Sequence, residues 1–92
     1  MKITFTSSFE RDFKKRNGKE QEQVYDVISK LPEVVEKPHL HGGTGIRKIH
    51  STGIFEARLG LGLRLVFALG KNEIILHRLG SHDTIQKYLK NL

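Results

Sequence analysis

Cysteine is absent from the 92 residues, so neither a disulfide nor a thiolate-bound metal can staple the fold. The chain must stand on its own hydrophobic core, and its length suffices for one small domain, expected to span residues 1–92. Long apolar runs are missing too. Nothing approaches the roughly 18 residues of a membrane span, and the opening MKITFTSSFERDF lacks the apolar block of a secretory signal. A soluble, cytoplasmic protein is the expectation, and the lack of cysteine suits a reducing compartment. Acidic residues are in deficit: 10 Asp and Glu against 16 Lys and Arg leave a formal net charge of +6. That balance fits a polyanionic partner, nucleic acid or an acidic protein, as well as it fits a basic, solvated surface.

Several kinds of chemistry lack their residues. No glycine-rich loop precedes a helix, because Gly60 and Gly62 lie in a hairpin, so a phosphate loop for nucleotides is excluded. No serine sits in a nucleophile-elbow context. His39-Leu40-His41 is the one histidine pair with metal-ligand spacing, but no cysteine and no clear third ligand accompany it. Neither a metal nor a cofactor is expected.

Proline is scarce as well, and Pro32 and Pro38 both fall in one stretch. Residues from Pro32 to Gly45 therefore read as a loop, while the rest of the chain is patterned. Lys2 to Thr6 alternates apolar and polar residues and reads as a strand. Ser7 and Ser8 can cap a following helix, with Glu10 three residues after Ser7. Phe9 and Phe13 share a face of that helix, and Asn17-Gly18 reads as its stop signal. A second helix is predicted from Lys19 to Leu31, with a stripe of Val24, Val27, Ile28 and Leu31, limited by Pro32. Tyr25 falls at the edge of that stripe.

Strands are predicted at Ile46–His50, on both sides of Gly60-Leu61-Gly62, and at Glu73–Leu79 after the turn Gly70-Lys71-Asn72. Gly80 to Asp83 ends the sheet, and Asp83 can cap a short final helix carrying Ile85, Leu89 and Leu92. The fold class is α+β: two N-terminal helices packed on a small antiparallel sheet, then a short C-terminal helix. One sheet face is expected to be covered by helices and the other to be open.

The segment GIFEARLGLGLRLVF, Gly53 to Phe67, concentrates the chemistry. If Leu59 faces Leu63 across the loop, the period of two sets Arg58 directly opposite Arg64. Like charges facing each other across strands destabilise a sheet, so the pair needs an anion. Glu56 shares their face and can neutralise one of them, which leaves an ion pair and an anion site as alternatives. Lys48, one strand earlier, can add to the same patch or stand solvated. His82 follows the last strand, where an imidazole can exchange protons near neutral pH or make a local hydrogen bond. Tyr88 is either a partly buried aromatic or a surface on which a base can stack.

The order of elements, with GIFEARLGLGLRLVF and the closing LGSHDTIQKY, resembles the RelE/ParE superfamily of toxin–antitoxin systems. The resemblance runs from the Phe9–Phe13 helix to Tyr88. It implies a RelE-like fold and a ribosome-dependent endonuclease that cleaves mRNA and stops translation. By resemblance, Arg64 contacts the scissile phosphate, and Arg58 helps activate the nucleophile or stabilise charge. His82 is implied as the acid, and Tyr88, Lys48 and Arg78 as RNA-binding residues. Glu56 stands where RelE carries a lysine, and is implied either as a base or as a partner of one arginine. Glu56, Lys48 and an arginine-assisted transfer remain alternatives for the base.

The expected partners are the ribosome with its mRNA and an antitoxin that lays an acidic, amphipathic segment on the chain. Two other readings stand beside the nuclease. One is a ParE-like inhibitor of DNA gyrase, which shares the scaffold without nuclease chemistry. The other is an inactive basic binding module.

Overall fold

Period-two alternation in the C-terminal half and apolar stripes of helical period in the N-terminal half set the order of elements. The computed structural model describes residues 1–37 and 45–92. These form β1 (Lys2–Phe5), α1 (Ser7–Lys14), α2 (Gly18–Glu36), β2 (Ile46–His50), β3 (Ile54–Leu59), β4 (Leu63–Gly70), β5 (Glu73–Gly80) and α3 (His82–Lys90). The expected α+β order is observed. The pair His39–His41 lies outside the described residues, as does half of the stretch read as a loop.

Helix boundaries differ from the expectation at every cap. Thr6, not a serine, caps α1 by accepting from the Phe9 amide. Its hydroxyl also donates to the Leu76 carbonyl at 2.8 Å, a contact between distant segments that local spacing cannot reveal. Asn17 starts α2 rather than stopping α1, because its side chain and that of Glu20 form a reciprocal capping box. Ser81, not Asp83, caps α3 by accepting from the Thr84 amide.

Pro32 does not end α2, which continues to Glu36. A proline inside a helix removes a backbone bond and costs about 3 kcal/mol. Packing offsets that cost here, since Leu31 is buried and Val35 rests on the core one turn later.

The five strands lie in the order β1-β5-β4-β3-β2. From β2 to β5 the chain is an antiparallel meander. β1 departs from the expected antiparallel sheet by pairing parallel to β5, a geometry that needs the long crossover which the intervening elements supply. One sheet face carries the main core, where Phe9, Val24, Ile28 and Leu31 meet Leu59, Leu63, Leu65, Phe67, Ile74, Leu76 and Leu79.

The other face is not open. α3 lies across it, with Ile85 packed on Ile54 and Val66, and Ile49, Ala68, Tyr88 and Leu89 around them. Close approach is possible because Gly80 has no side chain: a Cβ there would come within 3.0 Å of Thr84 Cγ2.

Candidate functional site

The β3–β4 register fixes the geometry of the face under α3. Leu59 pairs with Leu63 and Arg58 with Arg64, as the alternation predicts. The three-residue loop between them turns at Gly60, whose φ of 69° lies in the left-handed region that glycine enters without steric cost. β5 extends this row, because Arg64 pairs on its other side with Gly80. α3 begins two residues later with His82, an exposed residue in its first turn. The row thus runs Arg58, Arg64, Gly80 and ends where the histidine leaves the sheet.

A second row lies beside it. Arg47 pairs with Glu56, Glu56 with Val66, and Val66 with Arg78. The register then slips by one residue, with Phe67 opposite Leu76. His77 is the extra residue, and the bulge sets Arg78 on the α3 face beside Val66. His77 is half-buried, and burial holds its pKa below the ordinary imidazole value.

Glu56 is 1% exposed and is the charged centre of this face. Its Oε1 accepts from Arg64 at 2.8 Å and lies 3.5 Å from Arg47 Nε. The Arg64 side chain is 13% exposed, and its Nε is buried without a hydrogen-bond partner among the described residues. Arg58 is exposed and makes no ion pair among the described residues.

Arg78 reaches the other way. Its Nε donates to Asp12 Oδ2 at 2.7 Å and a terminal nitrogen donates to Oδ1 at 3.3 Å. Asp12 also accepts from the Leu79 amide at 3.0 Å. The hydrogen bond that Arg78 donates to Asp12 holds the Arg78 pKa above the ordinary guanidinium range. Arg78 also lies over the half-buried Tyr88 ring, 5.7 Å from its centroid. Arg47, Arg58, Arg64 and Arg78 against Glu56 and Asp12 leave two positive charges (4 − 2) on and beside this face.

Arg58, Arg64, Glu56, Arg78 and Tyr88 therefore stand on one face, with His82 at its end. Lys48 does not join them. It pairs with Phe55, and the period of two turns it to the opposite face, leaving Arg47 as the β2 residue beside Glu56. Alternation shows that Arg47 and Lys48 point apart, but only the β2–β3 register says which one meets Glu56. Asp12 carried no sequence signal as a partner, because Arg78 is 66 residues away.

No protein-family model and no curated protein sequence matches this chain. Solved structures do. The RelB–RelE antitoxin–toxin complex from Methanococcus jannaschii is similar with a TM-score of 0.70 and 21% identity, over 92% of this chain and 96% of that one. The YoeB–YefM complex from Staphylococcus aureus gives a TM-score of 0.67 at 22% identity, over 89% and 97% of the two chains. A YoeB/ParE toxin from Agrobacterium tumefaciens gives 0.67 at 19% identity, over 89% and 99%. The α+β architecture built from this sequence is the fold of the RelE, YoeB and ParE toxins.

Proposed function

We propose that this chain is the toxin of a type II toxin–antitoxin pair and acts as a ribosome-dependent mRNA endonuclease. The observation that carries the reading is the row Arg58–Arg64–Gly80, which ends where α3 delivers His82. Two arginines thus share one cross-strand row, and a histidine opens the helix two residues beyond its end, on a RelE-like fold. Guanidinium groups can stabilise the charge of a phosphorane, and an imidazole can protonate a leaving oxygen.

The reaction is a transesterification within the RNA. The 2′-hydroxyl loses its proton and its oxygen bonds to the adjacent phosphorus. The bond from phosphorus to the 5′-oxygen breaks, leaving a 2′,3′-cyclic phosphate, and the departing oxygen takes a proton. Arg64 and Arg58 stabilise the charge that develops on the phosphorane, and His82 supplies the proton to the leaving oxygen.

Glu56 is a positioning residue in this scheme. At 1% exposure, with Oε1 held between Arg64 and Arg47, it lies too deep to reach a 2′-hydroxyl. Lys48 stands on the far face. The 2′-hydroxyl proton therefore leaves to water, beside the exposed Arg58. The surplus of positive charge would bind ribosomal RNA and, in the inhibited state, an acidic antitoxin segment.

One observation favours a toxin without nuclease chemistry, the ParE-like reading: Glu56 already pairs Arg64. Induction of the R64A and H82A variants in cells separates the two. Under the nuclease reading, wild type halts translation with cleaved mRNA. Arg64→Ala then lowers cleavage on programmed ribosomes on the order of a hundredfold or more. Full toxicity of both variants with translation intact, together with DNA damage and filamentation, would overturn the nuclease.

A further inference from the structure

We propose that the polar pocket between α1 and the C-terminal half of β5 is a second phosphate subsite, for the backbone of an RNA strand. The inference rests on the nuclease reading above. The pocket has a volume of about 270 Å³ and is lined by Ser8, Arg11, Asp12, Lys15 and Arg78.

Its charge is unbalanced by construction. Arg11 and Lys15 stand four residues apart on one helix face, a like-charge spacing that destabilises an isolated helix. Among the described residues neither has an acidic partner; the one side-chain contact of Arg11 is a 3.4 Å hydrogen bond to Ser8 Oγ. Asp12 is the one acid in the pocket, and its oxygens are committed to Arg78 and to the Leu79 amide. It cannot neutralise Arg11 or Lys15 as well. Two cations thus face a concave surface whose only anion is already spent.

The pocket and the candidate site share one residue. Arg78 lines the pocket and at the same time belongs to the sheet row of Glu56, one strand over from Arg64. Neighbouring strands are only about 4.8 Å apart. An RNA strand with its scissile phosphate at Arg58 and Arg64 would pass the end of β5 to reach Arg11 and Lys15. A strand with one charge per nucleotide matches cations spread over successive strands and a helix better than a single bound anion does.

The test uses a short, uncleavable 2′-O-methyl RNA, with binding followed by fluorescence anisotropy against salt concentration. Wild type is compared with R11Q/K15Q, two exposed positions where substitution leaves the fold intact. The expected result is weaker binding, with a salt slope lower by about 1.4, twice the single-strand value of ~0.7 per charge. On programmed ribosomes the double variant should raise KM and leave kcat unchanged, whereas Arg64→Ala lowers kcat. An unchanged salt slope and KM in R11Q/K15Q, with Arg58→Gln still weakening binding, overturns the subsite alone. Absence of cleavage by wild type overturns the nuclease reading, and this inference with it. Unaltered RNA binding together with lost binding of polyglutamate assigns the pocket to an acidic protein segment and also overturns the proposal.

Discussion

Burying a carboxylate until 1% of its surface is exposed is costly unless cations meet it, and Glu56 is met by Arg64 at 2.8 Å and by Arg47 at 3.5 Å. The pair works in both directions, because Arg64, at 13% exposure, is almost as dry. Removing one member leaves the other charged and unpartnered, which costs about 3–5 kcal/mol for a buried pair. Glu56→Gln is therefore expected to lower stability by about 3 kcal/mol, the residual exposure of Arg64 setting the lower end of the range. Urea unfolding measures it, and E56Q/R64Q should recover part of the loss as a coupled pair. An E56Q midpoint equal to that of wild type would mean that the ion pair contributes nothing.

At the scale of elements, α3 decides what the candidate site looks like. It begins at the end of the Arg58–Arg64 row, and its first turn presses on Gly80 through Thr84. A methyl at position 80 would meet Thr84 Cγ2 at 3.0 Å, closer than comfortable packing allows. Gly80→Ala is thus expected to cost about 1–3 kcal/mol and to displace the helix that carries His82. Thr84→Ser removes that Cγ2 and should restore part of the melting temperature of G80A. Failure of the second substitution to help would place the strain elsewhere. α1 plays the matching role at the opposite side of β5, where Asp12 binds Arg78 and the Leu79 amide beyond the end of β1.

Across the whole molecule, charge and protonation set the conditions of stability. Burial holds the His77 pKa below its ordinary value of 6.5. The unfolded chain therefore takes up that proton first as the pH falls. Stability should decline below about pH 6.5 and continue to fall until the folded-state pKa is passed. His77→Gln removes this contribution, so its unfolding free energy should vary less with pH between 6.5 and the acid range. A parallel pH profile for wild type and H77Q would show that the histidine is uncoupled from folding. No helix among the described residues is long and apolar enough to cross a membrane.

Local patterning alone predicts the order of elements, the core leucines with Phe67, and the facing of Arg58 with Arg64. These rest on local rules: period two in strands, helical stripes, and a glycine-bounded turn. The caps Thr6 and Ser81 lie one and two residues before the positions that local spacing favours, and Asn17 opens a helix rather than closing one, because neighbouring polar residues compete to cap the same helix end. Helix α2 passes Pro32 because distant packing outweighs a local break.

Three features emerge in the folded chain alone: α3 closes the second face, Arg47 rather than Lys48 meets Glu56, and Asp12 holds Arg78. Each depends on register or on contacts between remote segments. A one-residue slip reverses every side chain on a strand, so no local pattern carries that information. Arg58 and Arg64 were legible as a pair; how far Glu56 occupies one of them is a property of the folded core.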